Sequence, residues 1–334
     1  MKLVSYKTEG NEHLGIYFKG HIYNLNSCDK QIPDNMGAFL MGEAPLMKRA
    51  KDVQAKLEAG VSFKEEVFYE LMAPVPHPTS CRDGYAFRQH VATARRNRKV
   101  DMIAEFDQYP IFYFTNHNAI VGPGAVRLMP DHFLQLDFEL EIAAVIGKKG
   151  RNITAGEADE YIAGFTIMND LSARTLQMEE MKLNLGPAKG KDFATAIGPW
   201  LVTPDELAGY LTKTKTGHTG KTYDLSMTCK VNGIQVSEGN VRDMDWTFAE
   251  IIERCAYGTD ILPGDVIGSG TVGTGCFLEL NGTGLLQDSG YPVQWLQAKD
   301  QVELEITGLG KLHNVMELDS QAGDFSLMAL KKMP

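Results

Sequence analysis

The spacing of hydrophobic residues divides the chain into two parts. In the first 25 residues, the apolar stretches KLVSYKT, HLGIYF and HIYNLN are separated by glycines, which predicts three short strands. Apolar residues then recur at helical spacing over Asp34–Leu57, which predicts one helix. Three prolines fall between residues 74 and 78. Because prolines stiffen the backbone and remove hydrogen-bond donors, they predict a boundary between a small α/β domain (1–73) and a larger domain (74–334).

Beyond the prolines, most of the patterns are those of strands. Asn232-Gly233 separates TYDLSMTCKV from IQVSE, and this dipeptide is typical of a two-residue hairpin turn. VELEITG, near residue 302, alternates between apolar and polar residues as a half-buried strand does. Glycine-rich loops are predicted at 186–190 and 264–275. Many strands with few inserted helices favour an α+β fold dominated by β-structure over a doubly wound sheet.

The stretch LQLDFELEI, from Leu134 to Ile142, carries the most informative chemical pattern. Its apolar residues alternate with polar ones, namely Gln135, Asp137, Glu139 and Glu141. In a single strand the apolar residues, Leu134 included, would face the core, and the acidic side chains would lie about 7 Å apart on the other face. A solvated strand face explains this pattern. A hard-cation site explains it as well, because ligand sets made only of oxygen favour Mg²⁺ or Ca²⁺ over zinc.

Two further carboxylates shift the balance toward a metal site. Asp170 follows the apolar run YIAGFTIMN and opens the segment LSARTLQMEEM, a position where Asp ordinarily caps a helix. Asp83 lies in the turn-like segment RDGY, where Asp is common. Each has an ordinary explanation alone, but together with Glu139 and Glu141 they could surround one cation.

A candidate general base lies near the second of these carboxylates. His90 is on a predicted helix that begins near Tyr85. A lone helical histidine is more often structural, and a catalytic one needs a partner that fixes its tautomer. Glu279 is a candidate partner, because it is flanked by apolar residues in CFLEL, a predicted strand, and a buried carboxylate needs a partner.

Three polar side chains are candidates for binding an oxyanion. Arg174 and Gln177 are three residues apart on the predicted helix after Asp170 and so share a face, although an intrahelical pair of Asp170 with Arg174 is the simpler explanation. Lys191 follows the loop GPAKG, where backbone amides and a lysine can meet an oxyanion. This is not a phosphate-binding loop, because Asp192 stands where that motif needs Ser or Thr.

Composition excludes several classes of function. Of 334 residues, 43% are hydrophobic and 23% charged, as in a folded soluble protein. The formal charge of −10 argues against nucleic acid as a partner. The sequence has neither an apolar signal segment nor about 18 consecutive apolar residues, which predicts no membrane association. Five scattered cysteines without a C-x-x-C pair indicate neither a disulfide framework nor a zinc site and favour a reducing cytoplasm.

Several ordered motifs after residue 74 resemble those of the fumarylacetoacetase family. DGYAFRQH at 83–90 is similar to the family's D-x-Y-x-x-x-x-H element, and DFELE at 137–141 to its D-x-E-x-E strand. NDLSARTLQ at 169–177 is similar to its N-D-x-S-x-R-x-x-Q element. GKDFAT at 190–195, LPGD at 262–265 and GSGT at 268–271 follow in the expected order. The chain resembles the compact, prokaryotic-type form of the family.

The resemblance implies a mixed β-roll catalytic domain, a homodimer and one Mg²⁺ or Ca²⁺ per subunit. The implied metal ligands are Asp83, Glu139, Glu141 and Asp170. The implied catalytic residues are His90, held by Glu279, which activates water, and the oxyanion-binding residues Arg174, Gln177 and Lys191. The implied substrate contacts are Tyr85, Tyr113 and Thr271, together with Lys182, which stands where animal enzymes place a tyrosine.

The activity that the resemblance implies is hydrolysis of a carbon–carbon bond in a small acidic β-diketo compound such as fumarylacetoacetate, as in tyrosine degradation. The alternatives are acylpyruvate hydrolysis, oxaloacetate decarboxylation or a hydratase reaction. The resemblance implies that relatives with these activities carry a shorter N-Y-x-x-H-x-x-E segment at this place. This chain lacks that segment at 83–90. A basic residue that contacts substrate is expected in the run 95–99, with Arg95, Arg96, Arg98 and Lys99 left open.

Overall fold

The computed structural model describes residues 1–330, so the last four residues of the predicted larger domain lie outside the described part. The strands of the first half are β1 Lys2–Thr8, β2 Asn11–Phe18, β3 His21–Asn24, β4 Glu65–Glu66, β5 Glu70–Leu71, β6 Cys81–Gly84, β7 Phe112–Thr115, β8 Ile120–Val121, β9 Gly124–Leu128, β10 Leu136–Asp137, β11 Leu140–Ile146, β12 Gly150–Arg151 and β13 Ile162–Asp170. The remaining strands are β14 Ser172–Ala173, β15 Thr195–Val202, β16 Leu211–Thr212, β17 Thr222–Tyr223, β18 Ser226–Val231, β19 Ile234–Asn240, β20 Asp260–Ile261, β21 Val266–Gly268, β22 Gln301–Ile306 and β23 Gly310–Leu318.

Helices are fewer than strands. The α-helices are α1 Leu25–Cys28, α2 Met36–Met41, α3 Glu43–Glu58, α4 Arg88–Asn97, α5 Ala155–Ala158, α6 Arg174–Met181, α7 Phe248–Ala256 and α8 Phe277–Gln287. The 3₁₀ helices are Ala104–Asp107, His117–Ala119, Pro130–Leu134, Asp159–Tyr161, Pro204–Tyr210 and Val241–Asp243. The predicted β-dominated α+β class is confirmed. Within residues 1–330, no helix combines the length and the apolarity needed to cross a membrane.

Two mixed sheets form the scaffold. The larger has 12 strands in the order β4-β3-β2-β1-β15-β13-β11-β21-β6-β7, with β5 on β1 and β8 on β15. The smaller has five strands in the order β19-β18-β22-β23-β9. β11 is buried along its whole length, because Ile142 and Ala144 belong to one hydrophobic cluster and Ala143 and Val145 to another. A strand covered on both faces needs a continuous apolar run, as this one has after Glu141.

The N-terminal strands extend the larger sheet. β1 pairs antiparallel with β15, with Leu3 opposite Leu201. The three strands predicted before residue 25 are confirmed. Residues 1–73 therefore share a sheet with the rest of the chain, and the domain division after residue 73 stays a prediction. The single helix predicted over 34–57 is wrong: it is divided at Gly42, where a Cβ would lie 2.1 Å from Leu46, and Glu43 has a φ of 47°.

The predicted single strand at 134–142 is also interrupted. Leu134 ends a 3₁₀ helix and its side chain is 53% exposed, so its predicted place in the core is wrong. β10 and β11 are separated at residues 138–139, because the Glu139 amide donates to the Asn169 side chain (2.9 Å) instead of joining a strand ladder. The predicted hairpin at Asn232-Gly233 is confirmed: Val231 pairs with Ile234 between β18 and β19.

Candidate active site

Three buried carboxylates meet where neighbouring strands of the larger sheet lie side by side. Asp83 is on β6, Glu141 is on β11 and Glu139 directly precedes β11, and one oxygen of each lies within 4.8 Å of the others. β21 runs between the two strands, and its Gly268 is opposite Asp83. A Cβ at residue 268 would lie 2.5 Å from Asp83 Oδ1 and 3.0 Å from Glu141 Oε2, so the glycine leaves room for both carboxylates.

The fourth predicted ligand, Asp170, adjoins this trio at the end of β13. The Lys191 ammonium donates to Asp170 Oδ2 (2.7 Å) and to Glu139 Oε2 (2.6 Å), so it links Asp170 to the trio. The Tyr113 hydroxyl also donates to Asp170 Oδ2. All four carboxylates predicted from the sequence are therefore buried next to one another.

The electrostatics of this cluster are unbalanced. Burial, and then the charge of Asp170, raise the pKa of Asp83 to about 7. Burial and the charge of Asp83 hold the pKa of Glu141 well above its ordinary value. Burial also opposes ionisation of Glu139, but the Lys191 and Arg174 cations outweigh it and lower the pKa of Glu139 to about 2. The two cations therefore favour the ionised form of Glu139, whereas burial and the neighbouring carboxylates disfavour the ionised forms of Asp83 and Glu141.

A hard divalent cation fits this cluster. Asp170 Oδ1 is buried and accepts no hydrogen bond from the described residues, and the Glu141 carboxyl, with Oε2 buried, has the Asp83 carboxyl rather than a cation or an amide beside it. Buried oxygen atoms without a donor are costly, and a cation would satisfy them. The four residues offer only carboxylate oxygens, the donors that Mg²⁺ and Ca²⁺ prefer.

Asp137 has a role different from that of its acidic neighbours. Its carboxylate accepts from Arg174 Nε (2.9 Å) and from the backbone amides of Phe277 (2.7 Å) and Leu278 (3.0 Å) at the start of α8. The Arg174 guanidinium also donates to Glu139 Oε1 (2.8 Å), so the intrahelical pair of Asp170 with Arg174 is wrong. Asp137 was predicted on the same face as Glu139, but the break in the strand turns it toward the first turn of α8.

His90 and Glu279 lie in direct contact. His90, on α4, has its Nδ1 2.7 Å from Glu279 Oε2, and both residues are buried. Glu279 is in the first turn of α8 and not on a strand as predicted. Its other carboxylate oxygen accepts from the Thr274 amide (2.9 Å), which fixes the carboxylate from a second side. An Nδ1–H held by a carboxylate leaves Nε2 as the basic nitrogen of the ring.

One cavity of about 750 Å³ joins these groups. Most of the predicted site residues line it, namely Asp83, Tyr85, His90, Tyr113, Glu139, Arg174, Gln177, Lys191 and Thr271. Glu141, Asp170 and Glu279 lie behind this lining in contact with it. Lys182 is the exception. Its side chain is 68% exposed and pairs with Glu179 outside the cavity.

In the basic run, Arg98 lines the cavity, whereas Arg95, Arg96 and Lys99 do not. Arg95 donates to the Asp101 carbonyl, and Arg96 donates to the Thr283 hydroxyl (3.0 Å). Arg98 makes no ion pair with the described residues, and its Nε donates to the Ala94 carbonyl (3.2 Å). Among these four residues, Arg98 is therefore the only one that lines the cavity.

The apolar side chains of this cavity were not predicted from the sequence; they include Met178, Met181, Leu278, Leu285, Val293 and Trp295. Apolar residues at helical spacing on α6 and α8 look the same in sequence whether they face a core or a cavity. The contact of Asp137 with both Arg174 and the start of α8 was not predicted either. The only signal for that role was the acidic residue on an otherwise apolar strand.

The motif order and this geometry agree with comparisons to known proteins. A family model described as fumarylacetoacetate (FAA) hydrolase C-terminal matches residues 79–317. The chain belongs to the fumarylacetoacetate hydrolase family. The match begins just after the proline cluster, and the resemblance seen in the motifs is confirmed.

Family members related to this chain carry several names. A human protein named oxaloacetate tautomerase FAHD2A, mitochondrial, is 31% identical over 94% of this chain and 91% of its own length. A Dictyostelium discoideum protein named fumarylacetoacetate hydrolase domain-containing protein 2 homolog is 27% identical over 94% of this chain and 96% of its own length. Because some curated relatives are named mitochondrial, the predicted cytoplasmic location stays a prediction.

Solved structures share the fold of this family member. A fumarylacetoacetate hydrolase from Exiguobacterium antarcticum is 22% identical, with a TM-score of 0.66, over 95% of this chain and 99% of that one. A maleylpyruvate hydrolase from a Sphingobium species is 18% identical, with a TM-score of 0.64, over 95% and 100% of the two chains. At these identities the comparison confirms the fold alone.

Stability of this family member without metal should depend on pH through Asp83. Its folded pKa of about 7 lies above its ordinary value of 3.8, so its contribution to stability is present below about pH 4 and is lost as pH rises to about 7. At about 1.4 kcal/mol per pKa unit, the loss is at most about 4 kcal/mol. Thermal melts in EDTA should therefore show a falling Tm over this window, and added Mg²⁺ or Ca²⁺ should raise Tm more at pH 8 than at pH 5.

The variant Asp83→Asn isolates this effect, because it lacks the titrating group. The difference in Tm between the metal-free variant and the metal-free wild type should grow from pH 4 to pH 7 in favour of the variant. Equal pH profiles for the two proteins, with no response to either cation, would contradict both the charge cluster and the metal site.

Proposed function

We propose that this protein is a metal-dependent hydrolase that cleaves a carbon–carbon bond in a β-diketo acid. The observation that carries the proposal is the contact of His90 with Glu279 in the wall of the cavity that also holds the carboxylate cluster. C–C bond hydrolysis needs an activated water, a stabilised oxyanion and a carbanion that can leave as an enolate. A general base and a hard-cation site in one cavity serve these needs.

His90 supplies the base in this proposal. Glu279 holds the Nδ1 proton and stabilises the charged imidazolium, so Nε2 accepts a proton from water. The water oxygen bonds to one carbonyl carbon, and the bond from that carbon to the carbon between the two carbonyls breaks. The electron pair leaves as an enolate, which a proton then converts to the ketone. The products are a carboxylic acid and a ketone.

Arg174, Gln177 and Lys191 would stabilise the oxyanion. Arg174 is fixed by Asp137 and Glu139, and its third nitrogen donates to Gln177 Oε1 (3.0 Å), which leaves the Gln177 amide nitrogen as a donor. Donors held in place before the reaction are worth about 3 kcal/mol each in known oxyanion holes. Mg²⁺ or Ca²⁺ bound by Asp83, Glu139, Glu141 and Asp170 would act as a Lewis acid toward the diketone. A homodimer is part of the same proposal.

A second candidate is tautomerisation of oxaloacetate. It is favoured by the 31% identity over 94% of this chain to a human protein of that name. The same base would move a proton between carbon and oxygen, with no bond between carbons broken. The two reactions therefore share His90 and differ in whether a new carboxylic acid is released.

The deciding experiment measures both outcomes in one assay. The protein with Mg²⁺ or Ca²⁺ is mixed with acetylpyruvate, fumarylacetoacetate or oxaloacetate, while enol absorbance and proton NMR are recorded. Hydrolysis releases a new acid from a diketo substrate. Accelerated loss of the oxaloacetate enol signal, with no acid released from either diketo compound, would replace the hydrolase proposal with the tautomerase.

Arg98 should bind a carboxylate of the substrate. It lines the cavity without an ion-pair partner among residues 1–330. We expect Arg98→Ala to raise KM for an acidic substrate by at least about tenfold, because a charge-assisted hydrogen bond is worth about 1.5–3 kcal/mol, and to change kcat little. Arg96→Ala is the matched control, since Arg96 lies in the last turn of α4, two residues before Arg98, and does not line the cavity. Equal KM values for the two variants would show that the basic run is only structural.

A further inference from the structure

The cavity becomes apolar with distance from the carboxylate cluster. On α6, Arg174 lies at the polar end, and Met178 and Met181 follow it at spacings of four and seven residues on the same side. On α8, Leu278 adjoins Glu279, and Leu285 lies seven residues further on. Seven residues of helix span about 10 Å, so both helices extend an apolar wall about 10 Å beyond the catalytic groups.

This wall is open to solvent. The side chains of Met178, Met181, Leu285 and Val293 are 40%, 46%, 44% and 46% exposed, and all four line this one cavity. Trp295 adds a half-buried aromatic surface to the same lining. A contiguous exposed apolar surface is unfavourable in water, and in a pocket it marks the place of an apolar ligand group.

The size of the cavity agrees with a substrate longer than a diketo head. At about 30 Å³ for a water-sized group, 750 Å³ accommodates roughly 25 such groups. Oxaloacetate has about nine non-hydrogen atoms and would leave most of this volume filled with water against apolar side chains.

The charges of the cavity disfavour a second carboxylate on the substrate. Besides His90, the described lining residues include three cationic side chains, and two of them, Arg174 and Lys191, are already paired with buried carboxylates. Of the three, only Arg98 has no carboxylate partner among the described residues, and it lies apart from the apolar wall's methionines and leucines in sequence. A carboxylate placed against Met181 or Leu285 would lose hydration without gaining a partner.

We infer that the substrate is a β-diketo acid whose acyl group is a long alkyl chain or an aromatic ring, which packs on the apolar wall. The inference rests on the proposed function and defines its substrate class. The diketo acid head lies at the carboxylate cluster and His90, and the acyl group extends between α6 and α8. The polar head and the apolar wall are continuous in one cavity, which is why the occupant is a substrate and not a second protein.

The test is a homologous series of 2,4-dioxo acids. The acyl group runs from acetyl to octanoyl, with a benzoyl member and one chain that ends in a carboxylate. We expect kcat/KM to rise by up to about fourfold per added methylene until the wall is covered. We expect the carboxylate-ended chain to react at least tenfold more slowly than the alkyl chain of equal length. A flat series, or a preference for the carboxylate-ended chain, would overturn the inference.

Variants of the apolar wall test whether it causes the dependence of kcat/KM on acyl chain length. The double variant Met178→Ser/Leu285→Ser should flatten the dependence of kcat/KM on chain length. Leu318→Ser, at a 54% exposed leucine on β23 outside the cavity lining, should retain it. If the double variant changes only the molecular mass in solution and retains the chain-length dependence, the wall is an interface between copies and the inference is wrong.

Failure of the proposed function is distinguishable from failure of this inference. Absence of cleavage for every member, acetylpyruvate included, rejects the hydrolase. Calorimetric titration of the His90→Ala protein with the same series then measures the contribution of the acyl chain without turnover. Affinity that rises with chain length supports the apolar wall, and affinity that does not rise rejects it.

Discussion

Changing His90 to alanine is expected to lower kcat by about 10²- to 10⁴-fold, the usual contribution of a positioned general base. The ring is held through Nδ1 by Glu279, and Glu279 is held by the Thr274 amide, so no flexible group takes over the proton transfer. Metal affinity should change little, because His90 is not part of the carboxylate cluster. Steady-state kinetics together with Mg²⁺ or Ca²⁺ titration monitored by thermal melts measure both quantities.

The variant Glu279→Gln measures the contribution of the Glu279 charge while His90 itself is retained. It retains the size of the side chain but removes the charge that stabilises the imidazolium, so kcat should fall less than in His90→Ala. The double variant His90→Ala/Glu279→Gln should have the same kcat as His90→Ala alone, because the two residues act as one unit. Near-normal turnover of His90→Ala would refute the mechanism.

Changing Arg174 to alanine is expected to lower the free energy of unfolding by about 3–5 kcal/mol, because it leaves buried carboxylates without their cation. The side chain is 3% exposed and lies 2.8 Å from both Asp137 Oδ2 and Glu139 Oε1. Urea unfolding measures the change through the transition midpoint. Arg174→Lys should restore little, since an ammonium cannot reproduce the planar contacts of a guanidinium.

The matched control for this measurement is Arg151→Ala. Arg151 pairs with Asp260 at 3.5 Å on the surface, where both side chains are more than 40% exposed. Surface ion pairs contribute about 0–1 kcal/mol, so this variant should unfold close to the wild-type midpoint. Equal losses for the two arginines would mean that Arg174 is not a buried structural cation.

The sequence predicted the polar groups of the site better than the elements that carry them. Asp83, Glu139, Glu141 and Asp170 were recognisable because carboxylates are conspicuous on apolar strands and in family motifs. Glu279 was correctly matched with His90 but assigned to a strand. Its apolar flanks are the same in a buried helix. The start of α8 is marked instead by the Asp137 carboxylate, which accepts from the Phe277 amide 140 positions later in the chain.

Tertiary contacts explain the other differences. The strand at 134–142 is interrupted because Asn169 accepts the Glu139 amide, a competition that hydrophobic alternation cannot reveal. Lys182 was predicted to contact substrate only from its position after the family's Arg–Gln element, but it follows the last residue of α6 and pairs with Glu179. The apolar wall of the cavity was not predictable, because periodicity identifies an apolar face but not what covers it.

The active site joins residues 83–90 to residues 270–279, and this long separation along the chain has a consequence for refolding. His90 and Glu279 are 189 positions apart, and the Gly270 amide that donates to Asp83 is 187 positions from it. Contacts of such long range form slowly, because the intervening chain must first lose its freedom. The backbone hydrogen bonds within helices α4 and α6 join residues only four positions apart, so they can form before these long-range contacts. After dilution from denaturant, far-ultraviolet circular dichroism should therefore recover before turnover does, and the return of activity reports the last long-range pairings of the chain.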